Sequence, residues 1–244
     1  AEQGFMEHHY GKRAVAFMND LGLLGPNTVA AHCVFMNDRE IEIMRETGSC
    51  MSHTAFLVAK RGYYPPMNKI YAAGVGVSLG SDWLSNDMFK VMRSAIVIPR
   101  AVFQDVTVRN AEDVLRMATI GGARCLGLDR EIGSLEPGKK ADVTLVDMRT
   151  AWCNPLRTQN LITNLVYNAN GSDVSHVFVD GEPLVDQGRL TRLDEAELIP
   201  EALFRSQDPA RENSTDGSIW GYGTKGRPAA LLSLSLSLYP PGNG

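Results

Sequence analysis

Between Asn27 and about Leu128, short apolar runs alternate with longer stretches whose apolar positions recur at helical spacing, the pattern of βα units feeding a parallel sheet. TVAAHCVFM (28–36) reads as a strand. Asn37, with Glu40 three residues on, marks a helix start, and IEIMRET runs on to Gly48 as the C′ residue. SCMSHTAF (49–56) is again strand-like. After a loop holding Arg61, Gly62 and Pro65-Pro66, MNKIYAAG closes a second helix at Gly74. VGVSLG is a third strand. Asn110 then caps AEDVLRMATIGGARCLG, in which Ala111, Val114, Leu115, Met117 and Ala118 share one apolar face.

After Asp129 the pattern turns β-rich. A Pro137-Gly138 turn separates short strand-like pieces of EIGSLEPGKKADVTLVDM, and DVSHVFVDGEPLVDQGRL reads as a hairpin with Asp180-Gly181 at its tip. From about Pro209 the chain is polar and glycine-rich, which predicts a mobile tail, and LSLSLSL near the end alternates like an edge strand or a low-complexity extension.

The three predicted parallel strands each place a polar side chain near the C-terminal end: His32, His53 and Asp82, separated by 21 and 29 residues. In parallel α/β barrels those ends gather on one face, so a shared site is geometrically allowed. An acid directly after a buried strand must be solvated, hydrogen-bonded or paired with a cation. Read from pattern alone, Asp82 is a metal or catalytic carboxylate or a cap; His32 is a core histidine satisfied by a backbone carbonyl, and His53 a loop-proximal histidine. Glu2 is an exposed terminal residue, and His8-His9 a solvated helix face.

Composition narrows the partners. The 244 residues, 44% hydrophobic with a formal charge of -4, give no electrostatic footprint for nucleic acid or an anionic membrane, so small molecules fit better. Cys33, Cys50, Cys125 and Cys153 form no Cys-x-x-Cys pair, which points to a reducing, cytoplasmic setting rather than a zinc knuckle or disulfide framework. No run reaches the length of a membrane span, and the first residues lack a signal-peptide pattern and an initiator Met. Gly74, Gly76 and Gly80 miss the G-x-G-x-x-G spacing by one residue, GYGTKGRP is not a P-loop, and the Asn170 and Asn213 sequons are read as chance matches.

GSLEPGKKADVTLVD (133–147) closely resembles the segment by which amidohydrolase-superfamily chains leave their barrel and return to a small β-sandwich. LGLLGPNTVAAHCVFMND, AAGVGVSLGSD, LRMATIGGARCLGL and LVYNANGSDVSHVFVDG resemble its triazine hydrolase and cytosine deaminase branch, in order and at matching separations, over residues 1 to about 200. The resemblance implies an α/β fold, a partial metal-dependent hydrolase (β/α)8 barrel with the C-terminal part of a composite β-sandwich. It divides the chain into barrel (1–128), sandwich return with closing helix (129–208) and tail (209–244). By this likeness AHC ends the sixth strand, GSD ends the eighth, and AEQ follows the fifth.

The same resemblance implies one divalent metal, zinc or iron, and a set of roles. Asp82 would ligate the metal and take the proton of the attacking water. Glu2, matching the Glu of a His-x-x-Glu pattern, would deliver a proton to the ring nitrogen or leaving group, and His32 would hydrogen-bond the attacking oxygen. His53, Trp83 and Asn86 would face the substrate, although Thr54-Ala55-Phe56 follows His53 where the family has Asn-Pro. The implied reaction is deamination or dechlorination of an N-heterocycle, in a protein of a kind that often forms homodimers. The family's first-strand His-x-His and the His of the fifth strand are not in these residues, so the alternative expectation is a catalytically incomplete fragment. A binuclear relative of the dihydropyrimidinases fits AHC and AEQ less well.

Overall fold

The computed structural model describes residues 2–206. It holds two separate sheets: a three-stranded parallel sheet in the order β1 (Val29–Ala31), β2 (Cys50–His53), β3 (Val77–Leu79), and a four-stranded antiparallel sheet, β4 (Val143–Val146), β5 (Val174–Val179), β6 (Glu182–Asp186), β7 (Arg189–Leu190). The helices are α1 (Glu2–Tyr10), α2 (Ala14–Asp20), α3 (Asp38–Thr47), α4 (Ala55–Lys60), α5 (Met67–Ala72), α6 (Met88–Phe103), α7 (Ala111–Ala118), α8 (Ile120–Cys125), α9 (Leu161–Asn168) and α10 (Glu195–Ser206). The segment from Pro209 and its LSLSLSL alternation lie outside the described residues.

The βα units form where the pattern predicts them, with boundaries set by local chemistry. The Asn37 side chain accepts from the Glu40 N–H at 2.9 Å while the Glu40 carboxylate accepts from the Asn37 N–H at 3.1 Å, so two otherwise orphaned donors start α3. Gly48, at φ +71°, ends it. The strand expected over 28–36 stops at Ala31, because His32 and Cys33 both take positive φ and the Cys33 N–H folds back onto the Ala31 carbonyl at 2.8 Å. The one expected over 49–56 stops at His53, and Ala55 already begins α4.

The single helix expected after Asn110 is two. It breaks at Thr119 (φ −117°, ψ −100°), whose hydroxyl donates to the Leu115 carbonyl at 2.7 Å. The next turn packs so closely that a Cβ on Gly121 would sit 2.9 Å from the Arg116 carbonyl oxygen.

Two apolar clusters support the parallel sheet. Ile41 and Met44 of α3 meet Met51 of β2, Met67 and Ile70 of α5, and Val75. Beside it Met92, Ala95 and Ile96 of α6 pack with Val114 and Met117 of α7, Val166 of α9 and Ala55, and Val77 of β3 touches both clusters. The register sets Met51 opposite Ala30 and Val77, and His53 opposite Leu79, which brings the ends of β1, β2 and β3 to one edge.

The antiparallel sheet is built differently. Its Asp180-Gly181 turn has φ +53° and +81°, the left-handed pair that a two-residue hairpin needs, as the sequence predicts, and Gln187-Gly188 repeats the device between β6 and β7. No residue in its four strands is fully buried.

Candidate functional site at the ends of the parallel strands

The site begins with the backbone. Of the six non-glycine residues with positive φ among the described residues, three lie just past parallel strands: His32 (+67°), Cys33 (+48°) and Asp82 (+52°). Such conformations are uncommon, are more readily taken by His and Asp than by most side chains, and concentrate at functional sites. At His32 the turn is pinned by its N–H, which donates to the Ser52 carbonyl at 3.1 Å. At the end of β3 the Gly80 N–H donates to the His53 carbonyl at 3.0 Å, and a Cβ there would lie 2.6 Å from Ser52 Oγ. A side chain at Gly80 would thus crowd the Ser52 hydroxyl where GSD crosses the end of β2.

These turns bring His32 and Asp82 together from opposite edges of the three strands. His32 Nε2 lies 3.4 Å from Asp82 Oδ2, with side chains 37% and 25% exposed, so the pair is reachable from solvent while half enclosed. That distance is longer than a tight hydrogen bond. The other carboxylate oxygen, Oδ1, accepts from the Trp83 N–H at 2.6 Å, so Oδ2 is the oxygen turned to His32. The far side of the His32 ring is held by Thr54, Nδ1 to Oγ1 at 2.7 Å. His32 is thus not a core histidine satisfied by a backbone carbonyl; side chains hold both ring nitrogens.

His53 lies behind this pair and is fully buried. Its Nε2 is 3.2 Å from the Tyr64 hydroxyl, the two rings meet edge to face, and Nδ1 has no partner among the described residues. Burial, and secondarily the neighbouring His32, pushes His53 down to about 4, so it is neutral at ordinary pH. Burial, with the Glu40 carboxylate, likewise pushes the Cys33 thiol up to about 12, so this cysteine keeps its proton and is no thiolate nucleophile.

Trp83 is exposed beneath the Lys60 ammonium, 5.0 Å from the ring centre, and Asn86 is exposed on the same connection. Glu2 opens α1 and is placed by its backbone alone. His8 and His9 are exposed on α1, as expected. Thr54 and Tyr64 are the partners that sequence reading missed. The signal for Thr54 was its place in the Thr54-Ala55-Phe56 departure; nothing local marks Tyr64.

Among the described residues no group of three or more His, Cys, Asp or Glu could hold a metal ion. Asp82 and His32 on their own therefore do not make a metal centre. Cavities of about 620 and 540 Å³ open against β4–β5 and against α7–α8, and neither is lined by His32 or Asp82.

A parallel βα sheet presenting a histidine and an aspartate at its strand ends fits the class the sequence resembles, and the comparison with protein families agrees. The amidohydrolase family matches residues 1–184, and the chain belongs to that family. It is 38% identical over 220 residues to a 5'-deoxyadenosine deaminase of Methanosarcina mazei, covering 88% of this chain and 50% of that protein. To a 5-methylthioadenosine/S-adenosylhomocysteine deaminase of Moorella thermoacetica it is 40% identical over 201 residues, 80% of this chain and 46% of the relative. Among solved structures, a zinc-bound adenosine deaminase from Xanthomonas campestris superposes with a TM-score of 0.77 at 32% identity, over 84% of this chain and 48% of that one. An atrazine chlorohydrolase from Arthrobacter aurescens complexed with zinc superposes with a TM-score of 0.70 at 25% identity, over 82% and 45%. The chain spans about half the length of the curated relatives it matches. Among the described residues no helix is long and apolar enough to cross a membrane.

Proposed function

We propose that this chain carries the aspartate–histidine part of a hydrolytic site that replaces the exocyclic amino group of an adenine-type nucleoside by oxygen. The observation that supports it is the pairing of His32 Nε2 with Asp82 Oδ2 across the strand ends, in a chain 38% and 40% identical to the two deaminases named above. In this reading Asp82 Oδ2 takes the proton of a water attacking the carbon that bears the leaving group, and His32 donates a hydrogen bond to the oxygen as negative charge grows on it. Glu2 delivers a proton to the ring nitrogen, and Asp82 passes the proton it took from water to the amino group, which leaves the tetrahedral carbon as ammonia when its bond to carbon breaks. Exposed Trp83 and Asn86 flank the ring, with His53 closed in beneath.

Zinc in the two solved neighbours supports a divalent metal in the working site. The described residues do not form its ligand set, and no step above runs through it. The same reading assigns residues 1–128 to the last strands and helices of a (β/α)8 barrel and 129–208 to part of a β-sandwich. The substrate is a small N-heterocycle.

The experiment supplies the protein with zinc and follows ammonia release from 5'-deoxyadenosine and 5-methylthioadenosine beside chloride release from a chlorotriazine. Ammonia from the nucleosides is expected; chloride release alone would replace deamination by dechlorination. A second reading, a catalytically incomplete chain, is favoured by the missing ligand cluster. It expects neither product and no stoichiometric zinc, and one tightly bound ion per chain would contradict it.

A further inference from the structure

Thr54 stands between β2 and α4 at the position where a helix would take its N-cap, yet its side chain makes no capping bond. Its methyl group would lie 3.4 Å from a Cβ on Gly80, so the loop that carries Asp82 passes close to that face of the residue. The hydroxyl lies 2.7 Å from His32 Nδ1, its one recorded partner among the described residues, and only 5% of the residue is exposed.

Two arrangements of protons on the neutral ring are possible, and they differ sharply. With the proton on Nδ1, His32 would donate to Thr54, the threonine hydroxyl hydrogen would have no acceptor in an enclosed place, and the Nε2 lone pair would face the Asp82 carboxylate 3.4 Å away. With the proton on Nε2, the Thr54 hydroxyl donates to Nδ1 and the ring N–H faces Oδ2, so both contacts are attractive. Orienting a working imidazole through its far nitrogen is a general device of enzyme sites.

We infer that Thr54 is a positioning residue: its hydroxyl donates to His32 Nδ1 and so holds the imidazole with its Nε2 proton aimed at Asp82 and at the oxygen that reacts there. The inference deepens the proposed function and rests on that reading for its purpose. The proton arrangement itself is a property of the resting chain, measured without substrate or metal, so it can fail while the activity stands, or the reverse.

The chain has five histidines, His8, His9, His32, His53 and His176, few enough for each imidazole to be resolved by nitrogen NMR of histidine-labelled protein, with His32→Gln assigning the resonances. At about pH 8, above the ordinary imidazole range, the native protein should show His32 with a protonated Nε2 and an Nδ1 resonance displaced by an accepted hydrogen bond. Thr54→Val should move the Nδ1 resonance to that of an unbonded ring nitrogen, and Thr54→Ser should keep it in place. A proton on Nδ1 or on both nitrogens in the native protein would overturn the inference, whether or not the valine variant folds. An Nδ1 resonance unchanged in a folded Thr54→Val would overturn it equally.

Discussion

Among the described residues there are two histidine–aspartate pairs, one at each sheet, and the shorter is not the one proposed to be functional. His176 Nε2 lies 3.1 Å from Asp186 Oδ1 across β5 and β6, with the Ser175 hydroxyl 3.0 Å from its other nitrogen; His32 and Asp82 are 3.4 Å apart. The first pair sits across hairpin strands whose register shifts between Val177 and Phe178, with Asp186 61% exposed, and the Ser175 hydroxyl also reaches the Leu145 carbonyl at 3.2 Å. The second is made by residues turned into left-handed backbone past the parallel strands β1 and β3 and braced by the enclosed Thr54. Distance alone does not identify a site. Both far ring nitrogens meet a hydroxyl, so left-handed backbone and the burial of the bracing residue, Thr54 at 5% exposure against a half-buried Ser175, separate the two.

The comparison is broken most forcefully by removing what lies beneath each sheet. Met51 of β2 is fully buried between the two flanking strands, so Met51→Ala should cost about 2–5 kcal/mol. Leu145→Ala on β4, 46% exposed, should cost less than about 1 kcal/mol, and urea unfolding of both variants decides it. Equal losses would mean that the parallel sheet is not the rigid platform of the site.

A second difference is electrostatic. Burial holds His53 down to about 4 in the folded chain, whereas the unfolded chain takes up the proton near the ordinary imidazole value of about 6.5. Between those values the unfolded state binds more protons, so stability falls as pH drops, by about 1.4 kcal/mol per unit and roughly 3 kcal/mol in all. Above pH ~6.5 His53 contributes no slope. Denaturation midpoints measured across this window should flatten in His53→Asn.

Gly80→Ala should cost about 1–3 kcal/mol, because its Cβ would meet Ser52 Oγ at 2.6 Å and push the Asp82 turn off β2. Asp186→Asn, which removes the partly exposed cross-strand pair, should cost about 0–1 kcal/mol by thermal unfolding.

Much of this contrast was legible beforehand. Apolar runs and caps located β1, β2, β3 and the start of α3, because Asn37, Glu40 and Gly48 act locally. The spacing of His32, His53 and Asp82 correctly pointed to one edge of one sheet. What pattern could not supply is long-range. Ser52 and Gly80 meet only once β2 and β3 pair, Tyr64 reaches His53 across a loop, and the break at Thr119 depends on Gly121 closing against Arg116. The enclosure of His53 likewise comes from long-range packing, Tyr64 edge to face on its ring included, rather than from its polar neighbours.

The most direct test of the account compares turnover of an adenine-type nucleoside by two variants, Asp82→Asn and Asp186→Asn, each first shown to be folded by circular dichroism. Asp82→Asn should lower the rate by about 10²–10⁴-fold, the range for removing a general base, and Asp186→Asn should leave it within about twofold. Retained turnover in Asp82→Asn, or an equal loss in both, would contradict the claim that the strand-end pair is the functional centre.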